Sequence, residues 1–216
     1  MRGLQAELEI GKQKTFASAL DWPGWSRSGK GETAAIEALL ACADRYRPVI
    51  RLAGLAVVLP SGVDVIDRQP GNSTTSFGVP NIVHAVEREP MSVEECERQL
   101  LLLQASWRFF QEVSQSVTPE MKKGPRVGGR DRDGIFDHVI NADRNYARKI
   151  GVRTSPFSPL DAEAVRAHHE AVFAVILGLR DGSLLTEKGW PVRYAMRRTA
   201  WHVHDHAWEM QDKSLG

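Results

Sequence analysis

Four stretches in the second half of the chain place apolar residues three and four positions apart, which is the spacing of one helix face. The first of them does so most clearly, with Leu100, Leu103, Trp107, Phe110 and Val113 on one side. We predict four long helices, over residues 92–117, 133–150, 160–179 and 192–213. Amphipathic helices joined by connections of roughly 10–16 residues favour a four-helix bundle.

End signals support these boundaries. Ser92 can cap the first helix, and Glu94 lies in its first turn, where the helix dipole favours a carboxylate. Gly151 follows the second helix as a stop signal. Asp161 can cap the third, and Pro191 suits the first turn of the fourth.

The first 75 residues have a different pattern. Short alternating runs predict strands over residues 7–10, 15–20 and 62–67. A helix begins at Glu32, and Pro48 is predicted to break or restart it near Arg47. Residues 21–26 are predicted to form an aromatic turn, and residues 28–31 are predicted to form a flexible segment. The loop at 70–75 is the predicted boundary between units 1–75 and 76–216.

Composition narrows the class of protein. The 216 residues are 42% hydrophobic with a net charge of +1, so no overall charge attracts nucleic acid or a membrane surface. Cys42 and Cys96 lack metal-ligand spacing and do not suggest a disulfide framework. No secretory signal is visible, and the apolar run 52–60 is about half a membrane span. We therefore expect a soluble cytoplasmic protein.

Three of the seven histidines fall in the last predicted helix. Residues four apart share a helix face, so His202 and His206 project side by side and can chelate one metal ion, as in the H-x-x-x-H motif of zincins. His204 points about 200° away round the helix. It is predicted to be either exposed or part of an interface.

A third ligand is available on the second predicted helix. His138 lies on an apolar stripe that also carries Ile135, Val139, Ala142 and Tyr146. Burying the His138 imidazole without a hydrogen-bond partner would cost about 1–3 kcal/mol. A metal ion bound jointly with His202 and His206 would provide that partner. The alternative is a core histidine with an ordinary hydrogen bond. Three histidines and an open position are typical of catalytic zinc sites.

One histidine on the second bundle helix, an aromatic residue a few positions later and H-x-x-x-H on the last helix resemble the DinB/YfiT-like metalloenzyme superfamily over about residues 90–213. That superfamily includes mycothiol-dependent maleylpyruvate isomerases and bacillithiol S-transferases. The resemblance implies a divalent metal on His138, His202 and His206, with zinc favoured and nickel or iron as alternatives. A long insertion before the second helix and the N-terminal unit depart from the family and indicate a divergent branch.

Residues 16–40 resemble the small HicB-like β-β-α module. The shared features are a strand, the segment Trp22-Pro23-Gly24-Trp25, a glycine-containing loop and a helix with Glu32, Ala34 and Ala35. That module belongs to antitoxins in toxin–antitoxin systems. Because no DNA-binding segment is evident, the resemblance implies only the fold, as a packing module against the larger unit.

Other residues are candidates for substrate contacts. Residues 122–133 combine five cations with three glycines before the helix of His138, which suits a clamp for a carboxylate or phosphate formed by Arg126, Arg130 and Arg132. The alternative is a mobile basic loop in which Asp131 or Asp133 caps the helix. Nucleotide P-loop spacing is missing.

Two further candidates lie on the last helix. Glu209 could orient a ligand histidine or act as a general base, or be an ordinary surface carboxylate. Arg198 could neutralise an anionic substrate or be solvated. Tyr146 is assigned to the deeper bundle, His168 and His169 to the surface. Trp201 and Trp208 are expected to pack against a neighbour or the N-terminal module.

The predicted fold is therefore α+β, a β-β-α-β module followed by a DinB-like four-helix bundle. The leading function is a metal-dependent enzyme in which Glu209 and Arg198 assist the metal ion. The family resemblance favours thiol transfer or isomerisation of a small anionic substrate with a low-molecular-weight thiol, and hydrolysis is the alternative within that class. The opposing hypothesis is a non-catalytic stress-related or regulatory binding protein whose metal site is structural or vacant. Neither nucleic acid nor a membrane is expected as a partner, and a homodimer is left open.

Overall fold

The computed structural model describes residues 3–56, 60, 62–124 and 129–215. In this part of the chain the protein is α+β, with one four-stranded mixed sheet and seven α-helices. The strands are β1 (Leu4–Ile10), β2 (Thr15–Ala19), β3 (Ser26–Gly29) and β4 (Val63–Pro70). The helices are α1 (Glu32–Ala41), α2 (Ala43–Leu52), α3 (Ser73–Phe77), α4 (Val93–Ser116), α5 (Arg132–Ala147), α6 (Ala162–Gly178) and α7 (Val192–Lys213). Short 3₁₀ turns follow at Ala85–Arg88 and Arg148–Ile150.

The sheet has the order β3-β2-β1-β4. β1 pairs antiparallel with β2 and parallel with β4, and β2 pairs antiparallel with β3. A parallel pair needs a long crossover, and the segment containing α1 and α2 supplies it. α1 packs on β2 and β3. The approach is close at Gly29, where a Cβ atom would lie 2.3 Å from the backbone of Ala34.

The N-terminal predictions need three corrections. Residues 26–29, predicted as the end of a turn and the start of a flexible segment, form β3, because their backbone pairs with β2. Pro48 does not break the helix: it lies inside α2, and the interruption falls at Cys42, whose ψ of −5° ends α1. The loss of one backbone hydrogen bond at a proline is offset by the buried face of α2. The predicted loop at 70–75 contains the end of β4 and the start of α3.

The four predicted long helices are present with boundaries close to those expected. Ser92, Asp131 and Asp161 act as N-caps, each accepting a hydrogen bond from a backbone N–H three residues later. α7 packs against α4 and α5, and α4 also contacts α6. Among the described helices, none combines the length and apolar character required to cross a bilayer.

One hydrophobic core joins the two predicted units. The same cluster of buried side chains contains Leu8 and Tyr46 from the N-terminal half and Leu103 and Met196 from the long helices. α7 lies at this junction, so fifteen of its side chains are buried. The sheet therefore fixes the position of the helix that carries H-x-x-x-H.

The predicted packing of the two α7 tryptophans is confirmed. Phe16 of β2 meets Trp201 edge-on at 6.1 Å, and the guanidinium of Arg27 lies 3.8 Å above Trp208. His204 is a fully buried interface residue, not an exposed one. Its ring contacts Tyr46 and faces Gly24, where a Cβ atom would lie 2.5 Å from Nδ1.

Candidate metal centre

Three histidines converge between α5 and α7. One ligand nitrogen from each of His138, His202 and His206 lies within 4.8 Å of the other two. Their ring centroids are 4.6 to 5.1 Å apart. The i, i+4 spacing places two rings on one face of α7, and the apolar stripe of α5 turns the third ring toward them. This is the only group of three or more metal-binding side chains among the described residues.

The cluster favours neutral imidazoles, the form that binds a metal. His202 is 8% exposed. Burial and the neighbouring His206 lower its pKa to about 2. Burial likewise lowers the pKa of His138, and His206 adds to the effect. Both rings therefore carry an unprotonated nitrogen at neutral pH, so the residues fit a divalent cation.

Glu209 fixes the orientation of His206. Its Oε2 lies 2.7 Å from His206 Nδ1, while its Oε1 accepts a hydrogen bond of 2.5 Å from Lys213 Nζ. The hydrogen bond from His206 and that from Lys213 lower the pKa of Glu209 to about 2 despite partial burial. An ionised Glu209 selects the tautomer with a proton on Nδ1, which leaves Nε2 free for a metal. Carboxylates orient ligand histidines in many metal sites.

We expect Glu209→Gln to weaken zinc binding by about 10–100-fold, the usual cost of losing an outer-shell carboxylate. The glutamine amide is neutral, so it cannot stabilise the Nδ1-protonated tautomer of His206 as the Glu209 carboxylate does. The measurement is zinc affinity by competition with a chromophoric chelator. Glu170→Gln, a carboxylate exchange on the exposed side of α6, is the matched control and should bind zinc as the wild type does. Equal affinity in Glu209→Gln would show that Glu209 does not support the site.

Arg198 and Tyr146 extend the candidate site beyond the three histidines. Tyr146 lines a small internal cavity between the long helices, as its assignment to the deeper bundle predicts. Its ring also meets His202 edge-on at 5.6 Å, so the residue borders the histidine cluster as well. Only two turns separate it from His138 on α5, and α7 crosses there. The guanidinium carbon of Arg198 lies 4.9 Å from the Tyr146 ring and 4.6 Å from the Trp201 ring. Arg198 is buried, and its Nη1 makes no hydrogen bond to any described residue.

The structure describes only two of the three arginines of the predicted basic clamp. Arg126 lies outside the described residues. Arg130 is exposed, and its charge contributes to lowering the pKa of both His138 and His202, which puts a cation beside the cluster. Arg132 donates to Asp133 at 2.7 Å and lines a groove between α4, α5 and α6.

His168 and His169 are not surface residues. His168 is buried and His169 is largely covered, because α6 brings both rings to Asp143 of α5.

Sequence reasoning also missed a buried polar network under α7. Arg197 donates to Glu87 at 2.6 and 2.9 Å, and His84 and Glu7 lie beside this pair. The available signal was the adjacent pair Arg197-Arg198 in an otherwise largely apolar part of α7.

Comparison with known proteins adds no identification. No protein-family model, no curated protein and no solved structure matches this chain.

Proposed function

We propose that the protein is a divalent-metal-dependent enzyme whose ion is held by His138, His202 and His206. The convergence of three histidine nitrogens within 4.8 Å carries the proposal. A divalent ion at this position would supply Lewis-acid chemistry, lowering the pKa of a thiol or a water molecule. In this proposal the four long helices form a DinB-like bundle, and the reaction is thiol transfer or isomerisation, with hydrolysis as the alternative chemistry.

The surrounding residues support a small anionic substrate. Arg198 offers an Nη1 group that makes no hydrogen bond among the described residues, and Arg130 adds a second cation near the cluster. Charge-assisted hydrogen bonds from arginine are the usual means of holding a carboxylate. The Tyr146 ring packs against the guanidinium group of Arg198. Its pKa is raised, chiefly by burial, so its hydroxyl stays protonated at neutral pH and can donate a hydrogen bond.

The opposing hypothesis is a structural metal in a binding or regulatory protein. Structural zinc sites have four protein ligands, whereas catalytic sites have three. Within the described residues the cluster contains three. His206 retains 14% exposure of its side chain, so one edge of the cluster faces outward. Both observations favour catalysis.

The test is a turnover assay of zinc-, nickel- and iron-loaded protein. Maleylpyruvate serves as the anionic substrate, and mycothiol, bacillithiol, glutathione and cysteine serve as thiols. We expect metal-dependent isomerisation or thiol adduct formation. In Arg198→Met the KM for maleylpyruvate should rise by about 10–100-fold, because a charge-assisted hydrogen bond contributes about 1.5–3 kcal/mol.

Two controls make this assay decisive. Arg198→Met should keep a full equivalent of zinc, and its KM for the neutral dimethyl ester of the substrate should match that of the wild type. Arg166→Met, an exposed exchange on α6, should change neither value. Protein that binds zinc tightly but turns over neither the thiol panel nor ester and amide substrates would support the structural-metal alternative.

A further inference from the structure

A groove of about 1300 Å³ separates α4, α5 and α6. Its walls are aromatic: Phe110 stacks on Phe136 at 5.5 Å, and Trp107 lies 5.6 Å from Phe173. None of the three clustered histidines lines it. Small-molecule sites are commonly apolar clefts of about 300–1,000 Å³ with a few polar groups, so the groove is large enough for an elongated ligand.

A buried carboxylate lies in this apolar groove. Asp143 is 4% exposed, and its Oδ2 accepts no hydrogen bond from any described residue. His169 Nε2 is 3.3 Å away and His168 Nε2 is 3.7 Å away, but neither forms a hydrogen bond. The His169 ring lies parallel to the Trp107 ring, with the two centroids 3.5 Å apart. A buried acceptor without a donor is rare in proteins and calls for a partner.

The charges around the groove leave negative charge in excess. Each of the three arginines that line it is paired with a carboxylate, in the pairs Arg108–Glu112, Arg132–Asp133 and Arg166–Glu170. Two lining carboxylates, Asp137 and Asp143, have no arginine or lysine partner in the described parts of the chain. A ligand that complements this groove therefore carries a cation with N–H donors and an apolar body.

We propose that the groove is a second binding site, specific for an amphipathic organic amine. Its ammonium group donates to Asp143 Oδ2, and its aromatic or alkyl body lies between the Phe110–Phe136 and Trp107–Phe173 pairs. Aromatic faces also attract a cation directly. This site is independent of the metal centre, because the groove and the histidine cluster share no residue.

The test compares two probes of equal size by isothermal titration calorimetry: 4-phenylbutylamine and the neutral 4-phenylbutan-1-ol. Because amines can coordinate metals, the protein is treated with EDTA, and His202→Ala is titrated in parallel. We expect the amine to bind at least tenfold more tightly than the alcohol in both proteins. In Asp143→Asn this preference should disappear, whereas Asp137→Asn, which keeps the buried carboxylate, should retain it.

Phe173→Ala gives a second test that does not depend on the folding of Asp143→Asn. It should weaken both probes by about tenfold and leave the preference for the amine intact. Equal binding of the two probes to wild type, a preference that survives in Asp143→Asn, or unchanged affinity in Phe173→Ala would each overturn the proposal. Sedimentation velocity tests whether a second copy of the protein occupies the groove in place of an amine. A dimer that is dissociated by Leu160→Glu would show that it does and would overturn the proposal.

Discussion

His202→Ala is expected to purify with no bound divalent ion, whereas the wild type should hold one equivalent. His202 is the most buried of the three histidines, and its ring centroid lies 4.6 Å from that of His206 and 5.1 Å from that of His138. Its loss leaves two nitrogens, and the affinity should fall by more than the about 10–100-fold expected for an outer-shell residue. The measurement is elemental analysis of protein dialysed against a known zinc concentration.

The matched control is His169→Ala, which removes a histidine outside the cluster and should keep one equivalent. Thermal unfolding provides a second readout, because a ligand that binds only the folded state raises the melting temperature. Zinc should raise the melting temperature of the wild type and of His169→Ala but not that of His202→Ala. Retention of one equivalent by His202→Ala would refute the site.

The helices that carry this centre could be predicted because their signals are local. The apolar stripe of α4 and the caps at Asp131 and Asp161 depend on residues within one or two turns. The pairing of His202 with His206 is equally local. The position of the third histidine was predictable because His138 lies on an apolar stripe, which directed it toward the interior where α7 lies.

The features that sequence analysis missed depend on distant contacts. His168 and His169 look like surface residues of α6 until α5 packs beside them and brings Asp143 to both rings. β3 has no apolar alternation of its own and forms only because β2 offers it a partner. The division into units 1–75 and 76–216 remains a prediction, although one core runs through both.

The burial of two charged residues in β1 also depends on distant contacts and could not be predicted from the sequence. Glu7 and Glu9 alternate with apolar residues, a pattern typical of a strand with one solvent-exposed face. Both are nevertheless buried, because the segment 79–88 and α7 cover that face of the sheet. Glu9 is satisfied by the backbone N–H groups of Asn81 and Ile82 at 3.1 and 3.0 Å. Glu7 has no such partner.

Glu7 is therefore expected to make stability depend on pH. Burial, reinforced by the nearby Glu87 carboxylate, raises the pKa of Glu7 from its ordinary 4.5 to about 8, although Arg197 opposes the shift. The folded protein holds a proton that the unfolded chain releases above pH 4.5. Stability from this group is thus fully present below pH 4.5 and is lost as the pH rises toward 8.

The local geometry agrees with a protonated Glu7. His84 Nδ1 lies 2.8 Å from Asp67 Oδ2, so the proton of a neutral ring belongs on Nδ1 and a lone pair remains on Nε2. That Nε2 is 3.7 Å from Glu7 Oε2, close enough for a carboxylic acid to donate to it after a small movement. A glutamine side chain has the same shape and can make the same donation through its amide.

Glu7→Gln is accordingly expected to match the wild type near pH 4 and to become more stable above it. The difference in unfolding free energy should reach about 3 kcal/mol at pH 7, because each pKa unit corresponds to about 1.4 kcal/mol. Urea unfolding from pH 4 to 9 measures it. Glu37→Gln, on the exposed side of α1, should follow the wild type throughout. A Glu7→Gln curve parallel to the wild type would show that Glu7 is ionised in the folded protein, with Arg197 and His84 stabilising its charge.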